Sequence, residues 1–324
     1  MKCINRFMKK SRLLCVVCIA AIFISGCSTE KIANAYDVYS NDYTMGNNTY
    51  TYFGSNLCVT NNVNYGTDQT HSQVAEGAGL FNIDTKEVLY SQNIFDRLYP
   101  ASTTKILTAY IIIRYGNLDD MVTVSANAAN QEESSSVCGI NEGDVISVRE
   151  LLYGLMLVSG NDAAVALAEY YSGSVEAFAE VMNEEALKMG ASNSHFVNPS
   201  GYPDDDHYTT VYDMYLIFSN AVSLQTFQEI INTKTIDVTY SSASGSIVEK
   251  TYNNSNHYIA GTCEAPEGIN VIGGKTGTTY DAGYCLVLLS TNEKGERLIS
   301  IVFKADGKSN LYLLMNDILS SFGN

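Results

Sequence analysis

Strand-type sequence at both ends of a long helical stretch is what most limits the fold of this chain. Gly79–Ile83 and Glu87–Tyr90 flank the turn residues Asp84-Thr85-Lys86, the pattern of a hairpin. Far downstream, Tyr284–Ser290 and Leu298–Phe303 flank Asn292-Glu293-Lys294-Gly295, a second hairpin. Between them apolar residues recur at helical spacing. One helix opens at Pro100 and Ser102 and stops at Gly116-Asn117 after Tyr115. Others cover Val148–Leu157, Ala163–Tyr171 and Ser174–Met189, the last closed by Gly190. A further helix follows Asp213, Thr235–Val271 is β-rich, and Leu311–Leu319 reads as a closing helix. Hairpins this far apart can share one core only in a single antiparallel sheet built from both ends of the sequence. The expected class is therefore α+β, with order beginning near Glu76, no internal repeat and no second domain after the sheet.

The N-terminus has a different character. Lys2, Arg6, Lys9, Lys10 and Arg12 precede the apolar run Leu13–Ile24, which is short for a membrane span and reads as a secretory signal. Ile24-Ser25-Gly26-Cys27 resembles a bacterial lipobox, so residues 1–26 are expected to be a lipoprotein signal peptide and Cys27 a lipidated N-terminus. Lipid on Cys27 would hold the protein to the outer face of a membrane. Residues 27–74 are polar, rich in Asn and Tyr and without apolar period, so a flexible tether is expected there, followed by a catalytic domain over 75–324. The five cations of residues 1–26 face no acid in that stretch, so their removal takes the net charge from −16 to −21. So acidic a body excludes nucleic-acid binding by counterion release. Cys58, Cys138, Cys263 and Cys285 show no metal-ligand spacing; Cys138 and Cys263 can be drawn as a pair, but spacing alone does not join them.

Three short motifs carry chemistry. In Ser102-Thr103-Thr104-Lys105 the serine and lysine share one face at a helix start. A serine hydroxyl is a weak nucleophile until a base takes its proton. Lys105 can act as that base if burial and a second cation, Lys275, lower its pKa. Ser159-Gly160-Asn161 follows an apolar helix as a turn, where Ser159 can relay a proton to a leaving amine and Asn161 can hold a substrate amide or Lys105. Lys275-Thr276-Gly277-Thr278 has the small residues of an edge strand that a peptide can approach, with a cation and hydroxyls suited to a terminal carboxylate. The N–H groups of Thr278 and Ser102 can form an oxyanion hole. Gly-Lys-Thr here lacks the earlier glycine and following helix of a phosphate loop. His71, His195, His207 and His257 stand beside no obvious nucleophile, which argues against a Ser-His-Asp triad.

With these motifs in this order, the chain resembles the low-molecular-mass penicillin-binding proteins, serine-type D-alanyl-D-alanine carboxypeptidases. The likeness extends to Pro100–Ala109, Leu151–Ala164, Asn198-Pro-Ser-Gly-Tyr202 with His207-Tyr-Thr-Thr, and Gly274–Thr279 with Ala282-Gly-Tyr-Cys285. It implies the β-lactamase/DD-peptidase-like fold, a five-stranded antiparallel sheet flanked by helices with a helical subdomain. It implies Ser102 as acyl-enzyme nucleophile, Lys105 as base, Ser159 and Asn161 as relay and positioning group, and Lys275, Thr276, Gly277 and Thr278 as the substrate-binding strand. The implied substrate is the peptidoglycan stem pentapeptide, β-lactam antibiotics would acylate Ser102, and no cofactor or metal is expected.

Two departures from the family stand out. Many relatives continue into a second β-rich domain and a C-terminal amphipathic anchor, whereas about 45 residues follow the third motif here. Some relatives place an arginine after the last hairpin to hold the carboxylate; Lys304–Asn310 has none, leaving Lys308 as the substitute candidate. Two other readings compete. A β-lactamase on the same fold needs a deacylating carboxylate four residues before an asparagine, and counting from Asn198 that position is Ser194. A non-catalytic wall-peptide- or β-lactam-binding lipoprotein would have no use for the intact set of polar groups.

Overall fold

The computed structural model describes Gly54 and residues 56–324. The Cys27 lipidation site, the signal segment and most of the expected tether lie outside the described residues. The hairpin β1 (Ala75–Asn82) and β2 (Glu87–Gln92) joins β7 (Asn270–Thr279), β8 (Gly283–Thr291) and β9 (Arg297–Ala305) in one five-stranded antiparallel sheet. Its order is β2-β1-β9-β8-β7, so β1 and β9, from opposite ends of the domain, pair at the centre, for example Leu80 with Ser300.

Both faces of the sheet are buried, which explains why β8 and β9 are apolar almost throughout rather than alternating. Leu286 and Leu288 of β8 pack with α9 (Lys308–Phe322), through Leu311, Leu314, Met315 and Ile318. Val287 and Leu289 face the larger core with α1 (Lys105–Tyr115) and α6 (Val211–Ala221). Within α1, Ile106, Leu107, Ala109, Ile111 and Ile112 are all fully buried. The helical part adds α3 (Val148–Leu157), opened by a capping box of Ser147 and Glu150, α4 (Asn161–Ser172) and α5 (Val175–Lys188).

One expectation is corrected: residues 57–74 are not a tether. Cys58 N–H donates to Tyr215 Oη at 2.9 Å, Tyr212 Oη donates to Cys58 O at 2.8 Å, and Tyr65 bridges Ser91 on the outer edge of β2. Backbone bonds and one buried cysteine, rather than an apolar period, tie the segment down. Most of the β-rich stretch forms a sheet of its own. Residues of β5 (Thr235–Ser241) and β6 (Ile247–Asn253) pair with each other and continue into β4 (Val145–Ser147) and β3 (Met121–Thr123), forming a separate four-stranded sheet. All four described cysteines are free thiols, Cys138 and Cys263 included.

Candidate active site

Pro100 leads into a tight helical turn, Ala101–Thr104, that runs straight into α1. Ala101 has φ 47°, a left-handed conformation that costs a non-glycine residue about 1–2 kcal/mol and turns the next side chain, Ser102, out of the core. Ser102 is partly exposed, whereas Lys105, one turn on, is fully buried. Its Nζ lies 2.9 Å from Ser102 Oγ, 2.7 Å from Asn161 Oδ1 and 2.7 Å from the carbonyl oxygen of Ser200.

That arrangement fixes the proton inventory. Burial first, and the neighbouring Lys275 cation second, push the Lys105 ammonium well below the usual lysine range. A neutral amine has two N–H donors and one lone pair. Asn161 Oδ1 and Ser200 O can only accept, so they take both N–H groups. The lone pair is left for the hydroxyl of Ser102, which is what a general base requires.

The second motif arrives from the end of α3. Ser159 has φ 65° and is mostly buried, with its side chain on the same cleft as Ser102; Gly160 caps α4, so Asn161 opens that helix. The third motif is β7, an edge strand whose Gly277 lies against the Ser102 turn. A Cβ built on Gly277 would stand 2.9 Å from Ser102 N and 3.1 Å from Pro100 O. Any side chain there would part the strand from the serine. Ser102, Ser159, Thr276, Gly277 and Thr278 line one cleft of about 250 Å³.

Lys275 sits beneath that cleft rather than in its lining. It is fully buried, its Nζ donates to Thr276 O at 2.9 Å, and burial lowers its pKa to about 7. Lys275, expected as part of a carboxylate clamp, thus lies buried behind the strand. In the cleft itself Thr276 is joined by residues for which no function was expected from the sequence: Ser255, whose Oγ is 3.0 Å from Thr276 Oγ1, Ser136 and His257. Ser136 and Ser255 come from loops with no local motif, and His257 opens the short helix α8 (His257–Ala260), whose N-cap Asn256 alone marks that place. Lys308, at the start of α9, is exposed on the same cleft, while Lys304 pairs with Glu76 at 2.8 Å.

The loop Asn198–Tyr202 is the fourth wall. Asn198 Oδ1 accepts from the N–H groups of Ser200, Gly201 and Tyr202, an Asx-type turn that aims the Ser200 carbonyl at Lys105. His207 holds the loop to α1's approach: its Nε2 is 2.8 Å from Thr104 Oγ1, and its Nδ1 accepts from Val197 N–H. Burial lowers its pKa to about 4, so it stays neutral and structural. Gly201 has φ 80°, and a Cβ there would lie 1.8 Å from Ala101 O. Gly201→Ala is expected to destabilise the fold by about 3 kcal/mol or more, read as a drop in urea midpoint. Ser194 bonds Asp213 Oδ2 and Thr209 Oγ1, each at 2.7 Å. Among the described residues no carboxylate hydrogen-bonds Ser102 or Lys105.

Fold and site together define a class: proteins that set a partly exposed serine against a buried lysine beside an edge strand. Comparison with known proteins narrows it. The sequence profile of the D-alanyl-D-alanine carboxypeptidase family matches residues 65–307, and this chain belongs to that family. It is 34% identical to D-alanyl-D-alanine carboxypeptidase DacF of Bacillus subtilis, over 71% of this chain and 57% of that protein. It is also 34% identical to the D-alanyl-D-alanine carboxypeptidase of Streptomyces sp. strain K15, over 67% of this chain and 76% of that one. The chain thus spans little more than half the length of the Bacillus relative. The crystal structure of the Streptomyces K15 DD-transpeptidase superposes with a TM-score of 0.71 at 32% identity, covering 76% of this chain and 95% of that chain.

Proposed function

We propose that this protein is a serine D-alanyl-D-alanine carboxypeptidase that removes the terminal D-alanine of peptidoglycan stem pentapeptides through an acyl-enzyme on Ser102. The observation that carries this is the buried Lys105 Nζ, 2.9 Å from Ser102 Oγ and held by Asn161 Oδ1 and Ser200 O, in surroundings that favour its neutral, proton-accepting form. The substrate would lie along the open edge of β7, its last carboxylate toward Thr276, Ser255 and Lys308, with Lys275 adding positive potential from beneath. Ser102 attacks the penultimate carbonyl as Lys105 takes its proton. The N–H groups of Ser102 and Thr278 receive the oxyanion. Ser159 passes a proton to the leaving D-alanine amine, and water then releases the trimmed peptide. β-Lactams would acylate the same serine. Ser194 is engaged by Asp213 and Thr209, and among the described residues no carboxylate hydrogen-bonds Ser102 or Lys105, which favours trapping over drug hydrolysis.

The same reading includes Cys27 as a lipid attachment site that keeps the enzyme on the extracytoplasmic face of a bacterial membrane, in the cell envelope. The test is mass spectrometry of pentapeptide muropeptides incubated with the full chain. Release of one D-alanine is expected. An unchanged pentapeptide, with folded protein and no labelling by fluorescent penicillin, would leave only the binding-protein reading.

A further inference from the structure

Behind the catalytic turn lies a buried charge that the mechanism above does not use. Asp162, the second residue of α4, is 1% exposed and has no ion-pair partner among the described residues. Its carboxylate instead accepts four backbone N–H groups. Oδ1 takes those of Cys138 and Ala163 at 2.8 Å each, and Oδ2 takes those of Gly139 at 2.8 Å and Ile140 at 3.3 Å. Three of the four belong to one loop, residues 136–140. At its near end Ser136 lines the substrate cleft, and its carbonyl accepts from Asn161 N–H at 2.8 Å. The loop is pressed onto the turn so closely that a Cβ on Gly160 would meet Cys138 Sγ at 2.2 Å. Lys250 holds it from the far side, donating to Cys138 O at 3.0 Å and to Gly139 O.

We propose that Asp162 is a positioning residue that latches the 136–140 wall of the cleft to the Ser159-Gly160-Asn161 turn and acts by its charge on the Ser102–Lys105 pair across Asn161. Two observations separate this from a plain structural bond. A neutral amide can accept at one oxygen only, so the Gly139 and Ile140 donors would face an NH2 group. The carboxylate's field also reaches Lys105, where it favours the protonated amine, against the Lys275 cation and burial, which favour the neutral one. The other groups near Lys105 carry no charge at neutral pH. Cys138 stays a thiol, because burial and Asp162 raise its pKa well above the ordinary value, and His207 is neutral.

The proposal rests on Ser102 being the acylated residue, and its test separates the two. Acylation of the full chain by fluorescent penicillin is followed against pH for wild type, Asp162→Asn and Asp162→Glu, with exchange of the 136–140 amides by mass spectrometry. In Asp162→Asn, acylation is expected to slow at least ~10-fold and its acidic limb to move down by about half a unit, since the charge that favoured protonated Lys105 is gone. The loop amides should exchange at least ~10-fold faster. Asp162→Glu, which restores the charge, should return the limb toward its wild-type position. Slower acylation with an unmoved limb would reduce Asp162 to a structural bond and overturn the proposal, as would wild-type rates. If Asp162→Asn does not fold, Asp162→Ala, which removes the carboxylate without adding an NH2 group, decides: faster loop exchange with slowed acylation supports the latch, and wild-type values of both overturn it. A wild type that penicillin does not label at any pH sinks the Ser102 reading instead.

Discussion

Ser102→Ala is expected to abolish both D-alanine release and covalent labelling by penicillin, a loss of about 10⁴-fold or more, while the protein stays folded. The change removes one oxygen from a partly exposed side chain. The turn that carries it is held by other groups, notably Thr103 Oγ1 donating to Pro100 O at 2.7 Å. Melting temperature should therefore be nearly unchanged. A folded variant that still forms a penicillin adduct would move the nucleophile to another residue, with Ser159, on the same cleft, the first to examine.

Lys275→Met is expected to give an enzyme that is less active at neutral pH and more stable. Removing the cation beside Lys105 lets that amine hold its proton to higher pH, so the acidic limb of acylation should move up by about one unit and the rate on that limb should fall by up to ~10-fold. The direction is opposite to that expected for Asp162→Asn, which makes the two variants internal controls. Stability follows from linkage. Lys275 titrates at about 7 in the fold against an ordinary 10.5, so between those values the unfolded chain binds more protons and wild-type stability rises with pH. Methionine, which carries no proton, lacks that dependence and should gain ~2 kcal/mol or more at pH 7, read from urea midpoints at pH 7 and 9. A variant with wild-type rate and an unmoved limb would remove Lys275 from the electrostatics of the site.

What the sequence disclosed follows the range of each interaction. The three motifs are local: a serine and lysine one helical turn apart, a glycine turn after an apolar helix, a small-residue strand. All three converge on one site. Strand pairing of the chain's ends was legible because both hairpins are apolar and punctuated by turns. Residues such as Ser255, Ser136 and Ser200 reach the site through loops, and their contributions are carried by a hydroxyl or a carbonyl that any polar loop offers. Position in space selects them, and no spacing records it. Residues 57–74 were misread for a related reason, since they are held by backbone bonds to Ser91 and by two tyrosines more than 150 residues away. Lys275 shows a further limit: its residue type suggests a surface clamp, and only its burial reveals a buried source of potential.

The two rims of the main sheet are finished differently. At β2 the outer ladder is occupied by the chain's own Tyr65. Along β7 it is stoppered at the start, where Asn232 Nδ2 donates to Ile272 O at 2.6 Å and Gly273 is pressed against Ile231 O. An exposed strand edge invites another copy of the protein to stack on it. Here the start of the strand is closed by the chain's own side chains and Gly277 by the serine turn, so the rim that the proposed substrate would use offers no long continuous ladder on which another copy could stack.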